Sequence, residues 1–306
     1  MTSQTGPLPL REPIFWFKWM MILLAFIVVG ALCAASVSAL IGQVTKVQIG
    51  VMNFEGLSKA KTNEVAWVYR LIVFSQHLFA FILPALLAMR LYKRKEGDVF
   101  FNFSPKFNLN AALIGVFILM CSYPLVQFSS EVNKMIPLPD VLRNMEDQTA
   151  KLVSLMLNND SILVLLVNVF LIALIPAIGE ELIFRGFLQT IIKKLIFHKH
   201  VTVWLTAIIF SAIHIQFEGF FPRMILGLVL GYLMMWSGNI IYPMIAHFTN
   251  NAVQVILQYT VRNDATRLEK MDNYNVPIWL VIGSVVVLAL STHLFQKYFI
   301  KNKALS

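Results

Sequence analysis

Ile175-Pro176-Ala177-Ile178-Gly179-Glu180-Glu181-Leu182-Ile183-Phe184-Arg185-Gly186-Phe187 is the stretch that decides how this chain is read. Two adjacent carboxylates and a guanidinium stand here with apolar runs on both sides. A charged side chain at the centre of a membrane helix costs about 2.5–3.5 kcal/mol on insertion scales. Such groups persist there when they pair with one another and face a polar interior. The rest of the chain is therefore read as the container for this group.

Composition supports a membrane setting. Of the 306 residues, 58% are hydrophobic and only 13% charged, and the mean hydropathy is +0.71. Soluble domains average about 45–50% apolar and about 25% charged. The net charge of +9 would suit a nucleic-acid binder, but the cations cluster at the ends of apolar runs. Cations placed there orient a membrane protein, so nucleic acid is set aside as a partner. Cys33 and Cys121 lie within apolar runs and read as small buried hydrophobes, with no disulfide or cysteine-based metal site implied.

The run carrying the quoted stretch starts at Ser161, reaches Ile178 without a charge, and continues to Lys193-Lys194. Upstream lie Trp19 to Gly42, Trp67 to Tyr92 and Leu109 to Phe128. Downstream lie Val201 to Phe217, Phe220 to Ser237, Asn239 to Thr260 and Pro277 to Tyr298. Each approaches the roughly 20 residues that cross a bilayer. The expected fold is all-α, a polytopic membrane bundle of about eight transmembrane helices. The first run exceeds the roughly 7–15-residue core of a signal peptide and is read as a retained span. Val141 to Leu157 has helical spacing and reads as a helix at the interface. Gly227 and Gly231 have the small-xxx-small spacing that permits close helix approach. No internal repeat of the transporter kind is visible.

The connections after spans two and four and the C-terminal tail are basic, through Lys93, Arg94, Lys95 and Lys106, then Lys193, Lys194 and Lys199, then Lys297, Lys301 and Lys303. The other loops are balanced or acidic. This pattern places both termini in the cytoplasm.

On a continuous helix, Glu181 and Arg185 are four apart and share a face. Glu180 points about 100° away and is free to face something else. The plain alternative makes both glutamates the solvated cytoplasmic end of the span. Against it, Leu182, Ile183, Phe184, Phe187 and Leu188 continue the apolar character beyond them. Neighbouring spans contribute His214, in Phe210-Ser211-Ala212-Ile213-His214, and His247, in His247-Phe248-Thr249-Asn250-Asn251. His247 and Asn251 are spaced i, i+4 and point to one spot, whereas Asn250 lies on a different face. His77 and His293 read as hydrogen-bonded core groups, and His198 and His200 as part of a basic connection. Straight helices would leave the converging groups at different depths. Irregular geometry near Pro176 and Gly179 is therefore expected.

A carboxylate near a neutral imidazole can hold and deprotonate a water. A histidine and an asparagine can donate hydrogen bonds to a developing oxyanion. Alternatively, Glu180, His214 and His247 with an open fourth position would make a zinc site that activates water. No HExxH sequence is present. Either arrangement ends in hydrolysis of an acyl bond.

Glu180-Glu181-x-x-x-Arg185, Phe210-x-x-x-His214 and His247-x-x-x-Asn251 together resemble the three-motif pattern of the CPBP family, the type II CAAX prenyl endopeptidases and bacteriocin-processing (Abi) proteins of membranes. The resemblance covers about residues 160–258. It implies an all-helical intramembrane endopeptidase in which Glu180 and His214 activate water and His247 and Asn251 form the oxyanion hole. Glu181 and Arg185 would be their structural or polarising partners, and the family has been described both with and without a catalytic metal. The chain then divides into a cytoplasmic tail (1–18), an N-terminal transmembrane region (19–159), the catalytic core (160–258), and a loop, last span and basic tail (259–306). The expected partners are the lipid bilayer and a membrane-associated peptide or protein substrate. The expected place is a cell membrane, the inner membrane if the source is bacterial. Two other readings compete: a non-catalytic scaffold or bacteriocin self-immunity protein, and a transporter using Glu180 and Arg185 as an ion relay.

Overall fold

The structure, a computed structural model, describes residues 12–47, 59–96, 107–264 and 275–304. Lys106, invoked above, lies outside the described residues, as does much of the connection between the first two spans. The described residues are helical throughout, with no strand among them.

In chain order the helices are α1 (Pro13–Thr45), α2 (Lys59–His77), α3 (Leu83–Glu96), α4 (Leu109–Cys121), α5 (Tyr123–Lys134) and α6 (Asp140–Leu157). They continue as α7 (Ile162–Asn168), α8 (Ile175–Glu181), α9 (Gln189–Ile196), α10 (Lys199–Ala212), α11 (Phe220–Ser237), α12 (Ile241–Val261) and α13 (Ile278–Ala304). Turns of π-helix join α2 to α3 (Leu78–Ile82), α7 to α8 (Val169–Leu174) and α8 to α9 (Leu182–Leu188). The expected irregularity around Pro176 and Gly179 is therefore present on both sides of α8. A π turn holds an extra residue, so side chains beyond it are rotated relative to a straight α-helix, and such turns are frequent at functional sites.

Among the described residues, six helical stretches are long and apolar enough to cross a membrane: Pro13–Thr45, Lys61–Glu96, Leu109–Lys134, Ile162–Ile196, Phe217–Ser237 and Ile278–Ile300. The chain is a multi-pass membrane protein. The sequence suggested about eight spans, and the difference lies in α10 and α12. Only 14 residues long, α10 stops at Ala212 instead of reaching Phe217, because the backbone turns and Ile215 takes φ 53°. Its partner α12 has 21 residues but carries His247, Asn250, Asn251, Gln254 and Gln258.

Lipid tails are as apolar as leucine, so membrane helices associate through close packing of small residues. The stripe Gly30, Ala34, Ser38 and Gly42, spaced four apart, forms part of the buried face of α1. Leu24, Val28, Val29 and Leu32 point away and stay exposed. Cys33, off the stripe, is exposed too and Cys121 only half-buried, so neither is the buried hydrophobe the sequence suggested. His293 is also exposed, on α13.

At Gly30 a Cβ would sit 2.0 Å from the carbonyl oxygen of Phe79, within the first π turn. Glycine is thus required for α1 to reach that turn. A Gly30→Ala protein should melt lower in detergent by an amount corresponding to about 1–3 kcal/mol, the usual cost of overpacking. Gly283→Ala, where a Cβ would meet nothing within 4 Å, is the control and should melt as the parent does.

Two apolar clusters flank the centre. Leu119, Leu233, Tyr242 and Phe295 tie α4, α11, α12 and α13 together. Leu23, Ala85, Phe184, Phe187 and Phe210 join α1, α3, the third π turn and α10. The amphipathic α6, expected from its spacing, has Met156 and Leu157 buried. Its end is fixed by the buried Arg70, which donates from Nε to Asn168 Oδ1 at 2.9 Å and from Nη2 to the Met156 carbonyl. Asn168 Nδ2 donates to the same carbonyl at 2.8 Å.

Candidate active site

The third π turn carries Arg185 directly beyond α8, which ends in Glu180 and Glu181. Arg185 Nη1 donates to Glu181 Oε1 at 2.9 Å, with both side chains fully buried. Arg185 Nη2 donates to the Gly227 carbonyl at 3.0 Å, and the guanidinium lies 4.6 Å from the centre of the Phe210 ring. The glycines of α11 make this possible. A Cβ at Gly227 would stand 3.2 Å from Ala207 and Phe210, and one at Gly231 would stand 2.9 Å from Val203. Their close packing on α10 leaves both backbone carbonyls facing the helix that carries the charges, and Gln189 Nε2 donates to Gly231 O at 2.9 Å.

Glu181 has a second partner. His247 Nδ1 lies 2.8 Å from Glu181 Oε1. A carboxylate only accepts, so Nδ1 carries the hydrogen and Nε2 is the nitrogen aimed outward, 3.9 Å from Glu180 Oε2. His214 is built the same way. Its Nδ1 donates to the Phe210 carbonyl at 2.7 Å, and its Nε2 stands 4.0 Å from Glu180 Oε2. A tight turn places it there: Ser211 Oγ donates to the Phe220 carbonyl at 2.6 Å, and Arg223 grips Gln216 through its side chain, Nη1 to Oε1 at 2.8 Å, and its carbonyl. The turn contains Ile215 in the left-handed region, unusual for a β-branched residue and costing about 1–3 kcal/mol. Phe210 packs edge-on against both imidazoles, with ring centres 5.1 Å from His214 and 6.1 Å from His247.

A third imidazole joins them. His77, read from sequence as a core group, has Nε2 3.7 Å from Glu180 Oε1, and its Nδ1 donates to the Val73 carbonyl at 3.0 Å. Gly179 lets the two helices meet here, since a Cβ on it would lie 3.0 Å from Phe81. Nothing in local spacing marks His77. The sign available was its shared run with the buried Arg70, a second polar group in an apolar stretch.

These groups line a cavity of about 420 Å³ that also receives Asn250, Asn251 and Gln254 from α12. Tyr123 donates to Asn250 Oδ1 at 3.0 Å, and Asn250 Nδ2 donates to Asn251 Oδ1 at 2.9 Å. Asn251 thus presents its amide hydrogens, and its Nδ2 lies 3.5 Å from the Ile172 carbonyl in the second π turn. The sequence set Asn250 aside as facing elsewhere. The structure puts it at the same cavity, as the group that orients its neighbour.

The site contains all six residues singled out from sequence: Glu180, Glu181, Arg185, His214, His247 and Asn251. Among the described residues no group of three or more His, Cys, Asp or Glu is set to hold a metal ion as placed. The donor types do suit zinc. Each imidazole is anchored through Nδ1 and offers Nε2, the arrangement in which outer partners orient a ligating histidine. Separations of 3.9 and 4.0 Å from Glu180 are wider than the roughly 3.3 Å between ligands that bonds of about 2.0–2.1 Å give around a tetrahedral zinc.

The family described as "Type II CAAX prenyl endopeptidase Rce1-like" matches residues 162–253. This segment is thus similar to the Rce1-like family. The Rce1-like segment contains α7 to α11, the greater part of α12 and the six residues named above. "Uncharacterized protein YpbD" of Bacillus subtilis (strain 168) is 30% identical over 111 residues, 35% of this chain and 52% of that protein. The chain thus spans about half the length of this curated relative. No solved structure matches. His77, Tyr123 and Arg70 lie outside the Rce1-like segment.

Proposed function

We propose that this protein is an intramembrane endopeptidase that hydrolyses peptide bonds of membrane-associated peptides or proteins, in the manner of CAAX proteases. The observation that carries the reading is the ring of imidazole Nε2 atoms aimed at one buried carboxylate, Glu180, in a cavity that also holds Asn251. Two acceptors 4.0 Å apart, Glu180 Oε2 and His214 Nε2, are spanned by one water at hydrogen-bond lengths of about 2.7–2.9 Å. Held between them, that water gives a proton to Glu180 as its oxygen attacks the peptide carbonyl. Asn251 Nδ2 and His247 Nε2 stand on the side where the oxyanion forms. His247 Nε2 donates there when the ring carries a hydrogen on each nitrogen, the one on Nδ1 being bonded to Glu181 Oε1 at 2.8 Å. Arg185 keeps Glu181 in place.

A zinc ion held by Glu180, His214 and His247 would polarise the water and lower its proton affinity. Metal content of the purified protein, with activity before and after chelation, tests this. Zinc as the activating group predicts about one ion per chain and loss of cleavage on its removal. Undiminished cleavage by metal-free protein excludes it.

With the basic connections on one side, both termini face the cytoplasm in this reading, and the membrane is the inner one if the source is bacterial. Substrates are found by comparing the peptides of cells that make the parent protein with those of cells that make Glu180→Ala. Products present only with the parent protein support an endopeptidase. Identical peptide sets, with the protein present in both membranes, would sink it.

A further inference from the structure

His77 lies outside the three motifs and outside the Rce1-like segment, yet it approaches Glu180 more closely than either motif histidine does, 3.7 Å against 4.0 and 3.9 Å. The two oxygens of Glu180 therefore have different neighbours. Oε2 faces His214 and His247, and Oε1 faces His77. The ring of His77 is held from both sides, by the Val73 carbonyl at Nδ1 and by Phe81, stacked at 5.6 Å and 24°. It is the last residue of α2, immediately before a π turn, so the change of helix type falls where the ring must be aimed. About one-fifth of the side chain, 21%, remains exposed, and it lines the cavity. A histidine serving only to fill the core has no need to offer a free Nε2 to both a carboxylate and a cavity.

We propose that His77 is the catalytic residue that delivers the proton to the leaving amine. This rests on the endopeptidase reading above. The water oxygen bonds to the carbonyl carbon while one water proton passes to Glu180 at Oε2. The carboxyl group then turns about its Cγ–Cδ bond to present its O–H to His77, whose Nε2 takes that proton and gives it to the amide nitrogen as the C–N bond breaks. The second water hydrogen stays with the new carboxyl group. One O–H bond and one C–N bond are broken, one C–O and one N–H bond are made, and no further reactant is needed. The two faces of Glu180 thereby serve the two halves of the reaction, with His214 on the side of the attacking water and His77 on that of the departing amine.

The test compares an amide with an ester. The probe is an internally quenched peptide ending in an isoprenylated cysteine and three further residues, made once with a scissile amide and once with an ester at that bond. An alkoxide leaves with far less need of a proton than an amine. For His77→Gln and His77→Asn in the full-length protein, kcat on the amide should fall about 10²–10³-fold and kcat on the ester less than about tenfold, with KM little changed. The ratio of amide to ester turnover does not depend on how much of a variant is folded, so partial misfolding leaves the result readable. Equal losses on both probes would make His77 a structural group and overturn the proposal, as would no loss on either. Both results leave the endopeptidase reading standing. Full cleavage by Glu180→Gln removes that reading and this assignment with it, and failure of the parent protein to cleave either probe removes its CAAX-like form.

Discussion

On the endopeptidase reading, Glu180→Gln protein should insert and melt like the parent but hydrolyse peptide bonds at least about 10³-fold more slowly, within the range that general acid–base groups contribute. Glutamine fills the same space and keeps a hydrogen-bonding oxygen, but it cannot take a proton from water. The imidazoles around Glu180 stand 3.7–4.0 Å away, and glutamine keeps its size and an oxygen toward them, so stability should hold. In that reading the loss belongs in kcat, since the shape of the cavity wall is kept. Single-turnover rates of purified parent and variant on one peptide decide the matter. A variant that kept full kcat would remove Glu180 from the chemistry.

Arg185→Leu should be the most destabilising single change at the site. It strands Glu181, fully buried, with His247 as its remaining hydrogen-bond partner and leaves the Gly227 carbonyl without its side-chain donor. Breaking a buried pair by removing one member costs about 3–5 kcal/mol. Removing both members is often close to neutral. The double variant Arg185→Leu, Glu181→Leu should therefore regain much of the lost melting temperature in detergent. It should not regain cleavage, because His247 has then lost the carboxylate that fixes its Nδ1 at 2.8 Å. Recovery of both properties together would show that Glu181 serves packing alone. Failure to recover stability would show that the Arg185 contacts with Gly227 and Phe210 matter more than the charge pair.

The charge group around Glu180 was legible in sequence because side chains so expensive in lipid must converge, and six residues from three apolar runs did. Pairing of Glu181 with Arg185 followed from spacing alone. Irregularity near Pro176 was also foreseeable, since straight helices left Glu180, His214 and His247 at unequal depths. That it takes the form of π turns before and after α8 was not, because a π turn adds one residue without a composition of its own. His77 escaped for the same reason: its aim depends on a π turn and on Gly179 admitting Phe81, neither of which periodicity reveals. Asn250 was misjudged because a separation of about 100° on a helix excludes a shared contact only when the target is small. Here the target is a cavity wide enough to receive both asparagines. The short α10 looked longer because the residues of its closing turn, Ile213 and Ile215, are as apolar as the helix.

Much of the cavity wall comes from residues outside the Rce1-like segment: Val73 and Gln76 on α2, Leu119 on α4, and Thr149, Leu152 and Val153 on α6. In the proposed reading, the tools of hydrolysis other than His77 lie within that segment, while a large part of the shape that admits a substrate is encoded elsewhere in the chain. Substitutions along α6 can change which peptide fits without disturbing Glu180 or its imidazoles. Two proteins that share the matched segment would then share a reaction while differing in diet. One link between the two parts is the backbone carbonyl of Met156, held by Arg70 and Asn168. Selectivity would thus be free to drift largely on one side of such links while turnover is inherited largely on the other.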